Sequence, residues 1–382
     1  MRRFGISVVL WAAIAAAQPP PPPDVPACGN APLFDTIPMA LDDFLAFRSL
    51  GFLSPPIHIF PAKHSAFSLA LPGQSAPERP VRFPGDAWLT EIWFDIFPDG
   101  QTAYQLIFYP CSEFQSYFNH IKDIPESLKA AYQLSEKTCM DHVDQTGKIV
   151  KCRARVLLKV SSGELAGISG NGAGVDFGAI DFRVAPLGFV NLEHYSHDYP
   201  YYVSPVDYFV PDLKAQFETK LGGWDGQSPR TAEPKAGAYR QDIEGTAQGN
   251  WFYPGLNLRN TTDLSPFLAL VHDYVDPSQP VFSIGSKVEG VRMGLYSFAP
   301  REAGLVNRDF KDVAPDGNTY CYEGFTAGRT AGGLPLGNLD GVLLVSMPSP
   351  TALMIERQGS SGQLCATLPD WRFTESATTF ER

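Results

Sequence analysis

The sequence predicts a mainly β fold, and three observations carry that expectation. Glycine and proline each occur 34 times and aromatic residues make up 12% of the chain, a composition that fits many short strands joined by tight turns. Apolar and polar residues alternate in Ala87 to Phe97 (AWLTEIWFDIF), Ala103 to Tyr109, Arg153 to Val160, Gly341 to Met347 and Leu353 to Arg357, the period of a strand with one buried face. Turn signals such as Pro315-Asp316-Gly317 and Gly359 to Gly362 recur in the C-terminal third. Only two stretches predict helices: Met39 to Leu50, with Asp42 and Asp43 early and Gly51 at its end, and Glu113 to Lys129, broken at Pro125.

At the N-terminus, Arg2 and Arg3 precede the apolar run Ile6 to Ala17, which ends in three alanines before Gln18 and the tract Pro19 to Pro23. That is the pattern of a secretory leader, so residues 1–17 are expected to be removed and 18–32 to form a proline-rich linker. The run is shorter than the ~20 residues that a bilayer span needs, and no later segment qualifies, so an exported protein without a membrane span is expected. Six cysteines in an exported chain predict three disulfides. Several connectivities are open; position along the chain favours Cys139 with Cys152 across a polar turn and Cys321 with Cys365 between late strands, which leaves Cys28 with Cys111.

The chain exceeds the ~250–300 residues at which one core stops growing, so two domains are expected. They are placed at 33–206 and 242–382, the second an antiparallel barrel or sandwich. Residues 207–241, with Gly222-Gly223-Trp224-Asp225-Gly226 and Ser228-Pro229-Arg230, are read as the linker. The net charge of −11 is spread along the chain, which argues against nucleic acid or an anionic membrane as partner.

Three blocks bear on chemistry: Ile57 to His64 (IHIFPAKH), Tyr104 to Ile121 (YQLIFYPCSEFQSYFNHI) and Ser162 to Arg183 (SGELAGISGNGAGVDFGAIDFR). With Phe83 to Ile92 (FPGDAWLTEI) between the first two, their order and spacing resemble the lysostaphin-like zinc endopeptidases. The resemblance covers under half of the chain and implies a duplicated-hybrid-motif β domain, with the glycine phrase Gly163 to Gly170 as its fold signal. It implies little of the catalysis. The family's first metal histidine falls on Phe60 and its aspartate partner on His64; the two closing histidines fall on Ala179 and Asp181. His120 alone keeps its residue type, at the position of a catalytic or second-sphere histidine. A catalytic zinc needs three protein ligands and an open position for water. The resemblance therefore implies a groove lined by His64, His120, Asp176 and Asp181 that binds cell-wall glycopeptide or glycan without a cofactor. The rival expectation is a divergent zinc metallohydrolase using His64 and Asp181 with His120.

Other candidates are weaker. His194 and His197 lie in NLEHYSHDYPYY (191–202), read as a solvent-exposed aromatic loop that could stack on sugar rings, or as tyrosines packing between domains. Gly249-Asn250-Trp251 resembles the GxW of lipocalin-like barrels, with Trp371 and Phe373 closing the same barrel from its last strand; a small-ligand carrier is the expectation attached to it. Glu91 and Asp95 share one face of a strand as solvated charges. Ser286, Ser346 and Ser349 lack the GxSxG elbow. Asn260-Thr261-Thr262 is a glycosylation sequon.

Overall fold

The computed structural model describes residues 25–71, 74–144, 147–172, 174–326, 328–329, 335–337 and 339–382. The expected leader and the tract Pro19 to Pro23 lie outside these. The fold is mainly β, built from antiparallel sheets, none of them closed into a barrel among the described residues.

The first unit contains β1 (Ala46–Arg48), β2 (Ser65–Ser68), β3 (Pro80–Arg82), β4 (Ala87–Ile96), β5 (Thr102–Cys111), β6 (Phe114–Ile121), β7 (Lys137–Asp144), β8 (Gly147–Val160), β9 (Leu165–Ile168), β10 (Gly174–Asp181) and β11 (Tyr202–Val203). Nine of these form one sheet in the order β1-β2-β10-β6-β5-β4-β8-β7, with β11 also paired to β10; β3 and β9 make a separate ribbon. One face of the sheet is a phenylalanine core: Phe47, Phe67, Phe108, Phe118 and Phe177 are all fully buried. Alternation along each strand sends the intervening residues to the opposite face.

Both helix expectations are corrected. Residues 39–50 form a single 3-10 turn, Leu41–Asp43, and then β1, because Phe44 and Phe47 bury themselves against Phe67 and Phe217 and tertiary packing overrides local propensity. Residues 114–121 are β6, and the helix α1 (Glu126–Leu134) begins only after Pro125, as the fixed φ of proline favours at a helix start.

The segment 207–241 is not a free crossing. It contains α2 (Pro211–Glu218) and packs Phe217, Leu221 and Ala236 into the first core. Its backbone also covers the open edge of β1, through Phe47 N–H to Lys220 O at 2.8 Å and Gly222 N–H to Phe47 O at 3.2 Å, so an unpaired edge is protected.

The second unit has a sheet of β12 (Gly249–Trp251), β13 (Leu268–His272), β14 (Pro280–Ile284), β15 (Gly294–Ser297), β17 (Gly328–Arg329) and β18 (Pro335–Gly337). A second sheet is formed by β16 (Tyr320–Tyr322), β19 (Val342–Ser349), β20 (Ala352–Gln358) and β21 (Thr378–Glu381). Trp251, Leu270 and Phe282 of the first meet Tyr322, Val345 and Ile355 of the second in one buried cluster. Of the two architectures expected, this is the sandwich. Trp251 is wholly buried under the Arg382 guanidinium, 4.2 Å from its ring. Trp371 and Phe373 do not close a cup; they pack with the Cys321–Cys365 disulfide in a separate small cluster. Among the described residues the sandwich interior is packed by Phe282, Phe298, Phe310 and Tyr322 at ring separations of 4.8–5.8 Å.

An apolar seam joins the units: Phe60 stacks on Phe267 at 5.0 Å and meets Phe252 edge-on, while Ile107, Tyr117 and Ile180 supply the sheet side. The tyrosines of 191–202 belong to this seam. Tyr195, Tyr199 and Tyr202 are 1%, 5% and 7% exposed, so the sugar-stacking loop is replaced by interdomain packing.

The three disulfides are Cys28–Cys111, Cys139–Cys152 and Cys321–Cys365. They fit a protein that folds in an oxidising compartment. Among the described residues no helix is long and apolar enough to cross a membrane.

Candidate functional site

The polar face of the first sheet gathers its chemistry at one end. Register places Arg48 of β1 beside Ala66 of β2, Ala66 beside Asp176 of β10, and Asp176 beside Asn119 of β6. Arg48, Asp176 and Asn119 therefore share a row on the face opposite the phenylalanines. His64 reaches the same face from just before β2, where its ring follows the alternation of Ala66.

His120 arrives by a break in that alternation. On β5, Leu106 pairs with Phe118 and Tyr104 with Ile121, so Gln105 alone opposes both Asn119 and His120. This is a β-bulge, which re-aims a side chain. Phe118 and Ile121 stay in the core while Asn119 and His120 both turn outward. The cost appears in the backbone: His120 has φ 64°, a left-handed conformation that a residue with a Cβ adopts rarely.

Asp176 is the centre of the cluster. Its Oδ1 lies 3.6 Å from His64 Nδ1 and its Oδ2 3.3 Å from His120 Nε2. The Asn119 amide also donates to Oδ2, at 3.4 Å. The His58 ring stands edge-on to His64 at 5.0 Å, and Phe52 packs edge-on against both. Tyr274, from the turn between β13 and β14, completes the wall 6.2 Å from Phe52.

Burial and charge divide these groups. Burial would raise the Asp176 carboxyl, but His64 and His120 hold it well below the usual carboxylate range. Burial lowers His58 to about 3, and neighbouring His64 adds to this. Burial also lowers His64, only partly opposed by Asp176. For His120, burial works against the charged form, but Asp176 outweighs it and the net shift is upward. Its side chain is 42% exposed, against 9% for His64 and 12% for Asp176, so His120 is the outward end.

Glycines fix the floor. A Cβ on Gly174 would sit 2.3 Å from Phe67 O, and one on Gly178 would sit 2.1 Å from the Tyr117 ring. The expected turn role is filled by Gly163, Gly170 and Gly172, all at positive φ.

Of the four groove residues expected, the structure brings three together and places Asp181 elsewhere. Asp181 lies five residues beyond Asp176 on β10; an odd step along a strand reverses the face and spans roughly 16 Å. It is held by Arg183 (Nε to Oδ1 2.8 Å) and by the Tyr208 hydroxyl at 2.7 Å. Asp181 thus cannot join His64 in a metal site. The other motif positions do not help: Phe60 lies in the interdomain seam and Ala179 in the first core. Sequence reading missed His58 and Arg48, although His58 stands within the first block and Arg48 follows Phe47 in what proved to be a strand.

Among the described residues, one group of metal-ligand type has its atoms close together, Cys28, Cys111 and Glu113. The two sulfurs are consumed in a disulfide, and Glu113 accepts from Cys28 N–H and the Ser112 hydroxyl, so the group is structural. Asp95 is buried and paired with Lys151 at 2.7 Å, and Glu91 accepts from the Trp93 indole; the pair is part of the sheet's ionic lattice rather than a solvated face. His194 contacts Phe252 edge-on at 4.7 Å and His197 contacts Tyr201 at 6.4 Å. Asn260 is exposed.

The chain matches no protein-family model, no curated protein and no solved structure.

Proposed function

We propose that the protein is an exported, non-catalytic binding module that acts in the periplasm or outside the cell. The end of the first sheet around His64, Asp176, Asn119 and His120 is the binding surface for cell-wall glycopeptide or glycan. The observation that carries this reading is the way the two imidazoles meet Asp176. A zinc ion requires ligand atoms converging on one point at ~2 Å, whereas His64 and His120 each address a different carboxylate oxygen. The charged groups are thereby satisfied by one another. What faces outward is the half-exposed His120 ring, able to hydrogen-bond; beside it the Asn119 Oδ1 is a buried acceptor without a partner. Such an acceptor suits a sugar hydroxyl or a peptide N–H.

A second reading, a divergent zinc metallohydrolase, is favoured by one fact: three imidazoles and a carboxylate share the site, and burial keeps His58 and His64 in the neutral form that a metal needs. Asp181, the ligand expected for it, is replaced by Asp176.

Two measurements on the purified full chain separate these. Metal content after mild dialysis is expected below about a tenth of an equivalent, and co-sedimentation with insoluble peptidoglycan is expected to fall at least severalfold in Asn119→Ala. Near-stoichiometric zinc that disappears in His64→Ala would establish the hydrolase reading. Failure of the unaltered protein to sediment with peptidoglycan would remove the binding one.

A further inference from the structure

Arg48 is the charged group that the histidine–aspartate cluster leaves unused. It is 6% exposed, and its guanidinium carbon lies 4.0 Å from the Phe52 ring centre and 3.9 Å from that of Trp224. Trp224 is itself anchored by its indole N–H to Ala70 O at 3.1 Å. Arg48 Nε is buried with no acceptor, and among the described residues Arg48 forms no ion pair. A guanidinium stays protonated in a protein, and a buried charge is costly unless oxygen atoms meet its N–H groups. The two rings cover the guanidinium carbon, so its N–H edge is the part left to bond, and that edge matches the oxygens of a carboxylate or phosphate. His58 packs edge-on to the same Phe52 ring, and an imidazole carries at least one N–H donor. Asp176, across β2 in the same row, is contacted through its two oxygens by His64 and His120 and forms no ion pair with Arg48. The turn carrying Tyr274 comes from the second unit and closes the same wall, so the receptor is shaped by both domains.

We infer that Arg48, Phe52, Trp224 and His58 form a receptor for an oxyanion, either a carboxylate of an acidic sugar or peptide, or a phosphate group. The inference rests on the binding reading above and deepens it, since glycopeptides carry carboxylates on sugars and peptide ends.

The test follows the Arg48 Nε–H resonance by NMR in the full chain while acetate and inorganic phosphate are titrated separately. Binding of a soluble glycopeptide is then compared with that of the same molecule with its carboxylates amidated. A saturable shift of the Arg48 signal is expected with one of the two anions, together with a loss of about tenfold to a hundredfold in affinity on amidation. Acetate acting alone assigns the site to carboxylates; phosphate acting alone assigns it to phosphates. Arg48→Met should abolish the effect of amidation, and the amidated ligand gives the answer without a variant should that substitution prevent folding. If neither anion moves the resonance and amidation changes nothing, Arg48 is a structural cation and the inference fails. A saturating anion with no glycopeptide binding would uphold the receptor and remove the function proposed above.

Discussion

Among the described residues, each unit holds a histidine–aspartate contact of nearly the same length. In the second unit, His272 at the end of β13 meets Asp309 at 3.2 Å, and Asp309 also caps the 3-10 turn Phe310–Asp312. In the first, His120 meets Asp176 at 3.3 Å. The first contact pins a strand end to a turn on regular backbone. The second sits on a bulge, uses a residue in a left-handed conformation, shares its carboxylate with His64, and has His58 and the unpaired Arg48 close by. A short contact between a histidine and a carboxylate thus does not mark a site. An excess of polar groups over the fold's needs, held by backbone that the fold does not require, does.

The largest expected effect tests that contrast directly. Asp176→Asn keeps the shape but removes the charge facing two histidines and Arg48 in a buried row, and about 3 kcal/mol of stability should be lost. Asp309→Asn should cost about 1 kcal/mol, the value of an ordinary hydrogen bond. Urea denaturation of the two variants measures both, and equal losses would erase the distinction.

A smaller effect appears on acidification. His58 and His64 are depressed below the unfolded value of about 6.5, so the unfolded chain takes up their protons first. Stability they contribute is complete above pH 6.5 and declines as pH falls, for His58 down to about 3. His120 is raised, so its contribution is complete below pH 6.5 and disappears only on the alkaline side. Asp176 and Asp309 are both lowered and act below about pH 4. Between pH 6 and 4.5 the imidazoles of the first unit dominate, at up to about 1.4 kcal/mol per pH unit for each neutral histidine. His58→Phe should lower that slope by close to one proton, as read from denaturation midpoints across this range; an unchanged slope would mean that His58 is already protonated in the native protein.

Much of the architecture was legible because it rests on local pattern. The alternation in Ala87 to Phe97 and Leu353 to Arg357 marks strands that the structure contains as β4 and β20. For Tyr117 and Phe118 the sequence predicts a helix, because a short apolar run has no decisive period; pairing with β5 and β10 makes it a strand. At the site, His64, His120 and Asp176 could be named from their blocks, but Asp181 was grouped with them because a sequence does not display which face a residue takes after five steps along a strand. Arg48 is hidden for a related reason: its local pattern predicts a helix, and its relation to Asp176 runs through Ala66 on the strand between them, a non-local register. The bulge at His120 is likewise invisible before the partner strand is known.

The smallest effect is the sharpest probe of the bulge. Replacing a strand residue by glycine is ordinarily worse than replacing it by alanine, by about 0.5–1 kcal/mol. At His272 that order should hold, because its backbone is not among the non-glycine residues with positive φ, which in the described chain are His120 and Asn307. At His120 it should reverse. Both variants lose the contact with Asp176, worth at most about 1 kcal/mol for a ring so exposed. Only alanine retains a Cβ in the left-handed conformation, at a cost of about 1–2 kcal/mol. His120→Gly is therefore expected to be the more stable of the pair by about 1 kcal/mol. If alanine proves the more stable at both positions, the backbone at His120 is not strained, and Asn119 and His120 need no special backbone to point together at Asp176.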